Sequence, residues 1–174
     1  EQAWFYQNGA GAVFPDFWKP YLEHIPVPER GNMIKAYYKR LTSKDPAVRL
    51  AAAKAWSIWE GATSKLHVDQ ALIDRNSNDN FATAFARIEC HYFIHDCFLE
   101  SDDQLLKNVE RIRHIRTTIV QGRYDMVCPM TSAYDLHLAW PEADFQVMAD
   151  AGHSATEPDN KRALINACDK YAGI

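Results

Sequence analysis

Apolar positions recur at helical spacing along the first two thirds of the chain, then change period. From position 31, GNMIKAYYKRLTS sets Met33, Tyr37 and Leu41 at i, i+4 and i+8, with Ile34 and Tyr38 alongside, which predicts a helix with one apolar face. DPAVRLAAAKAWSIWEG follows, with Asp45 as cap, Pro46 at the first helical position and Gly61 as the stop. In NDNFATAFARIECHYFIHDCFL a polar Asn/Asp start precedes Phe81, Phe85, Ile88 and Tyr92, again at helical spacing. Residues 1–30 are aromatic-rich and broken by Gly9, Gly11, Pro15, Pro20, Pro26 and Pro28, so short helical turns and loops are expected there.

Near position 115 the pattern shortens. TTIVQG and FQVMADAG are β-branched or alternating runs that end at glycine. Between them lies the helix-length MTSAYDLHLAWPEA, and after them KRALINACDKYAG. Strand, helix, strand, helix is a piece of a parallel sheet. The expected organisation is an all-helical unit over 1–115 and the tail of an α/β sheet over 116–174. No internal repeat or low-complexity tract interrupts either part.

Composition narrows the classes. The 174 residues are 47% hydrophobic and 24% charged, with a net charge of -4 and the basic residues interspersed among acids, so neither nucleic acid nor an anionic membrane is an expected partner. No apolar run reaches bilayer length and no signal peptide opens the chain, which makes the cytoplasm the expected location. Cys90, Cys97, Cys128 and Cys168 form no CxxC pair and read as reduced thiols. The chain starts at Glu1 inside an aromatic segment, which reads as a cut end.

The chemistry collects where the strands end. IVQGRYDMVCP offers Asp125 just after Gly122, and DAGHSATEP offers His153 just after Gly152. Carboxyl ends of parallel strands are where α/β proteins hold catalytic groups. An acid followed by a histidine is the order in which α/β-hydrolases supply two members of a serine triad. Such a carboxylate fixes the imidazole tautomer while the histidine moves a proton between a serine and the leaving group. The third member is absent. None of Ser43, Ser57, Ser64, Ser77, Ser101, Ser132 and Ser154 has a glycine two residues away on both sides, as a G-x-S-x-G elbow requires.

ARIECHYF, VQGRYDMVCP, AWPEA and AGHSATEP, with AWFYQ, FPDFW and WSIWEG, resemble the carboxyl-terminal half of bacterial prolyl aminopeptidases, also called proline iminopeptidases, from the first residue to the last. The resemblance implies a partial α/β-hydrolase fold, a helical cap domain followed by the last two strands and helices of the parallel sheet. It also implies a serine peptidase that releases amino-terminal proline, with neither metal nor cofactor. Asp125 and His153 match the triad acid and base. Glu60 of WEG and Glu89 of RIE match carboxylates that hold the substrate's free amino terminus, and Tyr6 and Phe93 are implied as walls of a proline-sized pocket. Cys128, three residues beyond Asp125, leads to the expectation that a thiol reagent inhibits the intact enzyme by crowding the acid, and that Cys128→Ala removes this sensitivity.

The residues give the implied roles a physical sense. Glu89 lies four positions from both Phe85 and Phe93, so its carboxylate falls beside an aromatic face, and Glu60 closes its helix among Trp56 and Trp59. Burying such acids is costly, and a substrate ammonium relieves that cost. Solvated or ion-paired acids are the plainer reading of both. His91 and His95 have the i, i+4 spacing of metal ligands, with Asp96 adjacent, but no third ligand is set by spacing and no metal site is expected.

Without a nucleophile the chain alone is expected to be inactive, as a truncated or partial product or as one piece of a nicked enzyme whose amino-terminal half is a separate partner. Its unpaired sheet edge makes a second copy of the chain another candidate partner. The competing functions are an esterase or amidase of the same fold, which would have no use for Glu60 and Glu89 as ammonium ligands, and a non-catalytic interaction module.

Overall fold

The computed structural model describes residues 1–173. It is mixed α/β, mostly helical, with one two-stranded parallel sheet among the described residues. Two compact units emerge from the contacts, one of residues 1–63 and 67–98, the other of 64–66 and 99–174. Where the sequence pattern suggests a change near 115, contacts group 99–114 with the second unit, because Val109 is buried with Trp140 and Ala143. No described helix is long and apolar enough to cross a membrane.

The first unit opens with a π turn at Trp4–Asn8 and a 3-10 turn at Ala10–Ala12. Helix α1 (Pro15–Glu23) then forms despite Pro20 in its interior, a longer element than the proline and glycine pattern suggests. α2 (Met33–Leu41) starts where the Asn32 side chain accepts from Lys35 N at 2.9 Å, and it buries Met33, Tyr37 and Leu41 as the spacing predicts. α3 (Pro46–Thr63) is set by Asp45, whose Oδ1 accepts from Ala47 N at 2.8 Å. It runs through Gly61 rather than stopping there. Gly61 lets the side chain of Asn76 approach, since a Cβ at 61 would meet it at 2.9 to 3.2 Å, and Thr63 Oγ1 closes the last turn on Trp59 O at 2.8 Å.

α4 (Gln70–Asn76), capped by Asp69, was not marked by the hydrophobic pattern. α5 (Asp79–Ile94) is capped by Asn78. Its buried stripe is not the aromatic one. Ala82, Ala86 and Cys90 are inaccessible, while Ile88 and Tyr92 are 62% and 51% exposed. Small residues at this spacing let α5 lie close against α3, and the bulky residues are left beside the seam. At the centre of the unit Tyr21 stacks on Tyr37 (4.6 Å, 7°) and Trp56 and Trp59 are fully buried. Each such ring contributes roughly 1.5–3 kcal/mol of burial.

The second unit holds α6 (Gln104–Lys107), a 3-10 turn at Val109–Arg111, strand β1 (Thr118–Gly122), helix α7 (Met130–Ala139), strand β2 (Asp144–Met148) and helix α8 (Pro158–Tyr171). β1 and β2 pair in parallel, with Thr118 beside Asp144 and Gly122 beside Met148. The strand–helix–strand–helix order is the one the sequence pattern predicts. β2 is only half-buried along its whole length, as is β1 up to Gly122.

Candidate active site

The two strand ends meet through their glycines. Backbone pairing continues past the sheet, with Arg123 N donating to Met148 O (2.9 Å) and Tyr124 N to Ala151 O (3.0 Å). A Cβ at Gly122 would lie 1.9 Å from Gly152 O and 2.7 Å from Ala151 O. Neither glycine has positive φ. It is close backbone approach that requires glycine here, which the sequence reading of a simple strand break does not supply.

That approach brings Asp125 and His153 together. His153 Nδ1 lies 3.0 Å from Asp125 Oδ2, so the imidazole engages the acid through Nδ1, and Nε2 is its other ring nitrogen. Asp125 is buried, 7% exposed, and accepts several hydrogen bonds. Its Oδ1 takes Val127 N at 3.0 Å and Cys128 N at 2.8 Å, and its Oδ2 takes Gln121 Nε2 at 3.4 Å. The turn after β1 is therefore wrapped around the carboxylate. The His153 side chain is 40% accessible. Cys128 stands at this turn, bonded to the acid through its backbone nitrogen, with its carbonyl accepting from Gln121 Nε2 at 3.3 Å.

The other four residues singled out in the sequence collect inside the first unit. Tyr6 is stacked on Trp56 (4.3 Å, 19°), its ring centroid is 5.2 Å from that of Phe93, and its hydroxyl donates to Glu60 Oε1. Glu60 is 5% exposed. Burial pushes its carboxyl well above the ordinary glutamate range, and the neighbouring charge of Glu89 pushes it further, against the opposing hydrogen bond from Tyr6. The Tyr6 phenol is likewise raised, first by burial and then by Glu60. Glu89, half-buried, accepts from Trp56 Nε1 at 2.7 Å. Two acids thus share one aromatic enclosure. An ionised pair there is costly, and a cation between the carboxylates would remove the cost.

Among the described residues no group of three or more His, Cys, Asp or Glu is placed to hold a metal. His91 and His95 do face each other, with ring centroids 4.5 Å apart, but His95 Nδ1 is engaged with His91 O at 2.8 Å.

Sequence reasoning missed the residues that hold these groups in place. Trp56 orients Glu89, and only its spacing of four from Glu60 hints at this. Gln121 braces the acid turn from the last position but one of β1. Glu157 and Asn160, buried at the start of α8, read in sequence as nothing more than a helix N-terminus around Pro158.

Comparison with known proteins is unambiguous in direction. No family model matches the chain. A probable proline iminopeptidase of Leptolyngbya boryana is 60% identical over 171 residues, which is 98% of this chain and 53% of that protein. The proline iminopeptidase of Xanthomonas citri is 55% identical over 172 residues (99% and 55%), and that of Arabidopsis thaliana 51% over 172 residues (98% and 45%). The chain spans about half the length of the curated relatives it matches. Over the part it spans, identity of 51–60% across almost every residue makes the chain a homologue of the corresponding half of these proline iminopeptidases.

Proposed function

We propose that the protein to which this chain contributes is a serine-type aminopeptidase that releases amino-terminal proline, with Asp125 and His153 as the acid and base of its triad. The 3.0 Å contact between Nδ1 and Oδ2 is the arrangement such a relay needs. His153 Nε2 takes the proton of a serine hydroxyl as that oxygen attacks the scissile carbonyl, then returns it to the leaving amine, while Asp125 stabilises the imidazolium. No serine of this chain stands in a G-x-S-x-G setting. The nucleophile and the oxyanion donors are assigned to the part of the family sequence that this chain does not span, and the chain by itself is expected to give no turnover.

The helical unit takes the role of a cap domain, and the second unit that of the carboxyl-terminal part of an α/β-hydrolase core. Glu60 and Glu89 are the proposed ligands of the substrate's amino terminus. Their enclosure by Tyr6, Trp56 and Phe93 is the single observation that carries the preference for proline. A proline amino terminus is a secondary ammonium with two N–H donors, one for each carboxylate, on a compact apolar ring that suits aromatic walls. An ester without a free amine would leave both acids unserved.

The test uses the full-length protein with proline amide and N-acetylproline amide as paired substrates. Turnover is expected for the free amine only. Glu60→Gln and Glu89→Gln should raise KM, and Asp125→Asn should lower kcat about 10⁴-fold, the scale on which loss of a triad acid acts elsewhere. Equal turnover of the two amides would overturn the role of the glutamates and leave the esterase or amidase reading in its place.

A further inference from the structure

The His153 side chain is 40% accessible, yet a proton relay tolerates little positional error. What fixes the residue is the backbone on either side. Gly152 N donates to Glu157 Oε1 at 2.9 Å, and Gly152 O accepts from Asn160 Nδ2 at 3.0 Å. Ser154 N donates to Ser64 O at 2.8 Å, and Ser154 O accepts from the same Asn160 Nδ2 at 3.1 Å. Both neighbours of the histidine are therefore tied through N–H and through C=O.

Glu157 does more than close one of these bonds. Its second oxygen, Oε2, accepts from Leu66 N at 3.0 Å. One buried carboxylate, 7% exposed, thus joins the histidine loop to the 64–66 segment, which belongs to the same unit. The fit is close. A Cβ on Gly152 would stand 2.8 Å from Leu66 N and 3.2 Å from Glu157 Oε1. Glu157 is the residue before Pro158 at the start of α8, where a side chain ordinarily caps its own helix, yet this one makes no cap bond and turns back to the loop.

We infer that Glu157 is a positioning residue for His153, acting by clamping the Gly152 and Leu66 N–H groups so that the imidazole stays in register with Asp125. The inference rests on the acid–base role given to His153 in the proposed function, but the geometry it asserts can be measured without any turnover. Two N–H donors converge on the carboxylate, so only an acceptor with two free oxygens serves both. Glu157→Gln keeps shape and volume but turns an amide N–H towards one of the two donors. A buried amide left unpaired in this way costs enough to open the loop measurably.

The experiment follows the His153 Nδ1–H proton by nitrogen-resolved NMR in the 174-residue chain, assigned by its loss in His153→Gln. In Glu157→Gln its exchange with water is expected to quicken about tenfold. The indole N–H of Trp140, in the buried cluster of the same unit, should not move. An unchanged His153 signal in Glu157→Gln overturns the assignment. If Glu157→Gln does not fold, Glu157→Asp carries the test, because its shorter carboxylate can serve one donor but not both and should give the same selective quickening on a smaller scale. Equal loosening of His153 and Trp140 in whichever variant is used makes Glu157 a general brace of the unit and also overturns the inference. A selective effect, found alongside a full-length protein that does not release proline, would keep the clamp and discard the peptidase reading.

Discussion

Glu60 and Asp125 are both buried carboxylates, 5% and 7% exposed, and the molecule treats them in opposite ways. Asp125 sits in a turn that delivers two backbone N–H groups, a glutamine amide and an imidazole to its oxygens, so its charge is met by donors already in place. Glu60 sits among aromatic rings with a second acid nearby, and its surroundings favour the proton over the charge. The contrast extends to the units that hold them. The helical unit is stabilised by ring burial, and its Tyr21, Tyr37, Trp56 and Trp59 are all but inaccessible. The second unit has half-buried strands and a small core of Val109, Trp140 and Ala143, and its order is concentrated in hydrogen-bonded turns. In the proposed function, the carboxylate that holds a histidine is met by donors of the protein, whereas the one proposed to hold a substrate cation sits where burial opposes its charge.

The largest effect that would break this comparison is in the helical core. Trp59→Ala should destabilise the chain by about 3–5 kcal/mol in urea unfolding followed by far-ultraviolet circular dichroism. Trp59→Phe should cost much less, because the indole N–H is buried with no acceptor among the described residues and nothing polar is lost with it. A cost below about 1 kcal/mol for the alanine variant would mean that ring burial is not what holds this unit, contrary to the usual cost of emptying a core site.

In the second unit the sensitive atoms are backbone. Gly122→Ala puts a Cβ 1.9 Å from Gly152 O, so the two strand ends must separate, at roughly 1–3 kcal/mol and with displacement of Asp125 from His153. The control is Gly31→Ala, where a Cβ meets nothing within 4 Å and φ is not positive. That change should be neutral or stabilise by about 0.4–1 kcal/mol through the unfolded chain. Similar losses for the two alanines would remove the case for close approach at Gly122.

These same positions mark how far the sequence could be read. Helix α2, the start of α3 and the alternation of strand and helix after 115 were legible because capping and hydrophobic period act locally. Asp125 and His153 were visible as strand-end residues in a suggestive order, but Glu60 and Glu89 were assigned only through resemblance. Nothing in local spacing says that Tyr6, 54 residues away, closes over Glu60. The buried stripe of α5 escaped because large apolar residues draw the eye and Ala82, Ala86 and Cys90 do not, although helix packing selects small residues at close seams. Glu157 escaped for another reason. Its partners at 66 and 152 are set by chain reversals that no periodicity encodes.

The last expected effect discriminates best, because its size depends on pH. The folded state raises the Glu60 carboxyl above its ordinary value of 4.5, chiefly through burial and then through Glu89. Between that ordinary value and the raised one the folded chain binds the extra proton, so the contribution of Glu60 to stability is greatest below 4.5 and is lost as pH rises through the window. Glu60→Gln preserves an oxygen for the Tyr6 hydroxyl and removes the charge. It should therefore be near neutral at low pH and stabilising at about pH 8, on the order of 1 kcal/mol, the scale of one buried polar group. Thermal unfolding at the two pH values reads this directly. Destabilisation of equal size at both would mean that donors of the protein meet the Glu60 carboxylate as they meet that of Asp125, and the contrast between the two acids would fail. Stabilisation at the higher pH, together with the raised KM expected of the same variant in the full-length protein, would identify a site kept unfavourable in the empty state so that a substrate cation can relieve it.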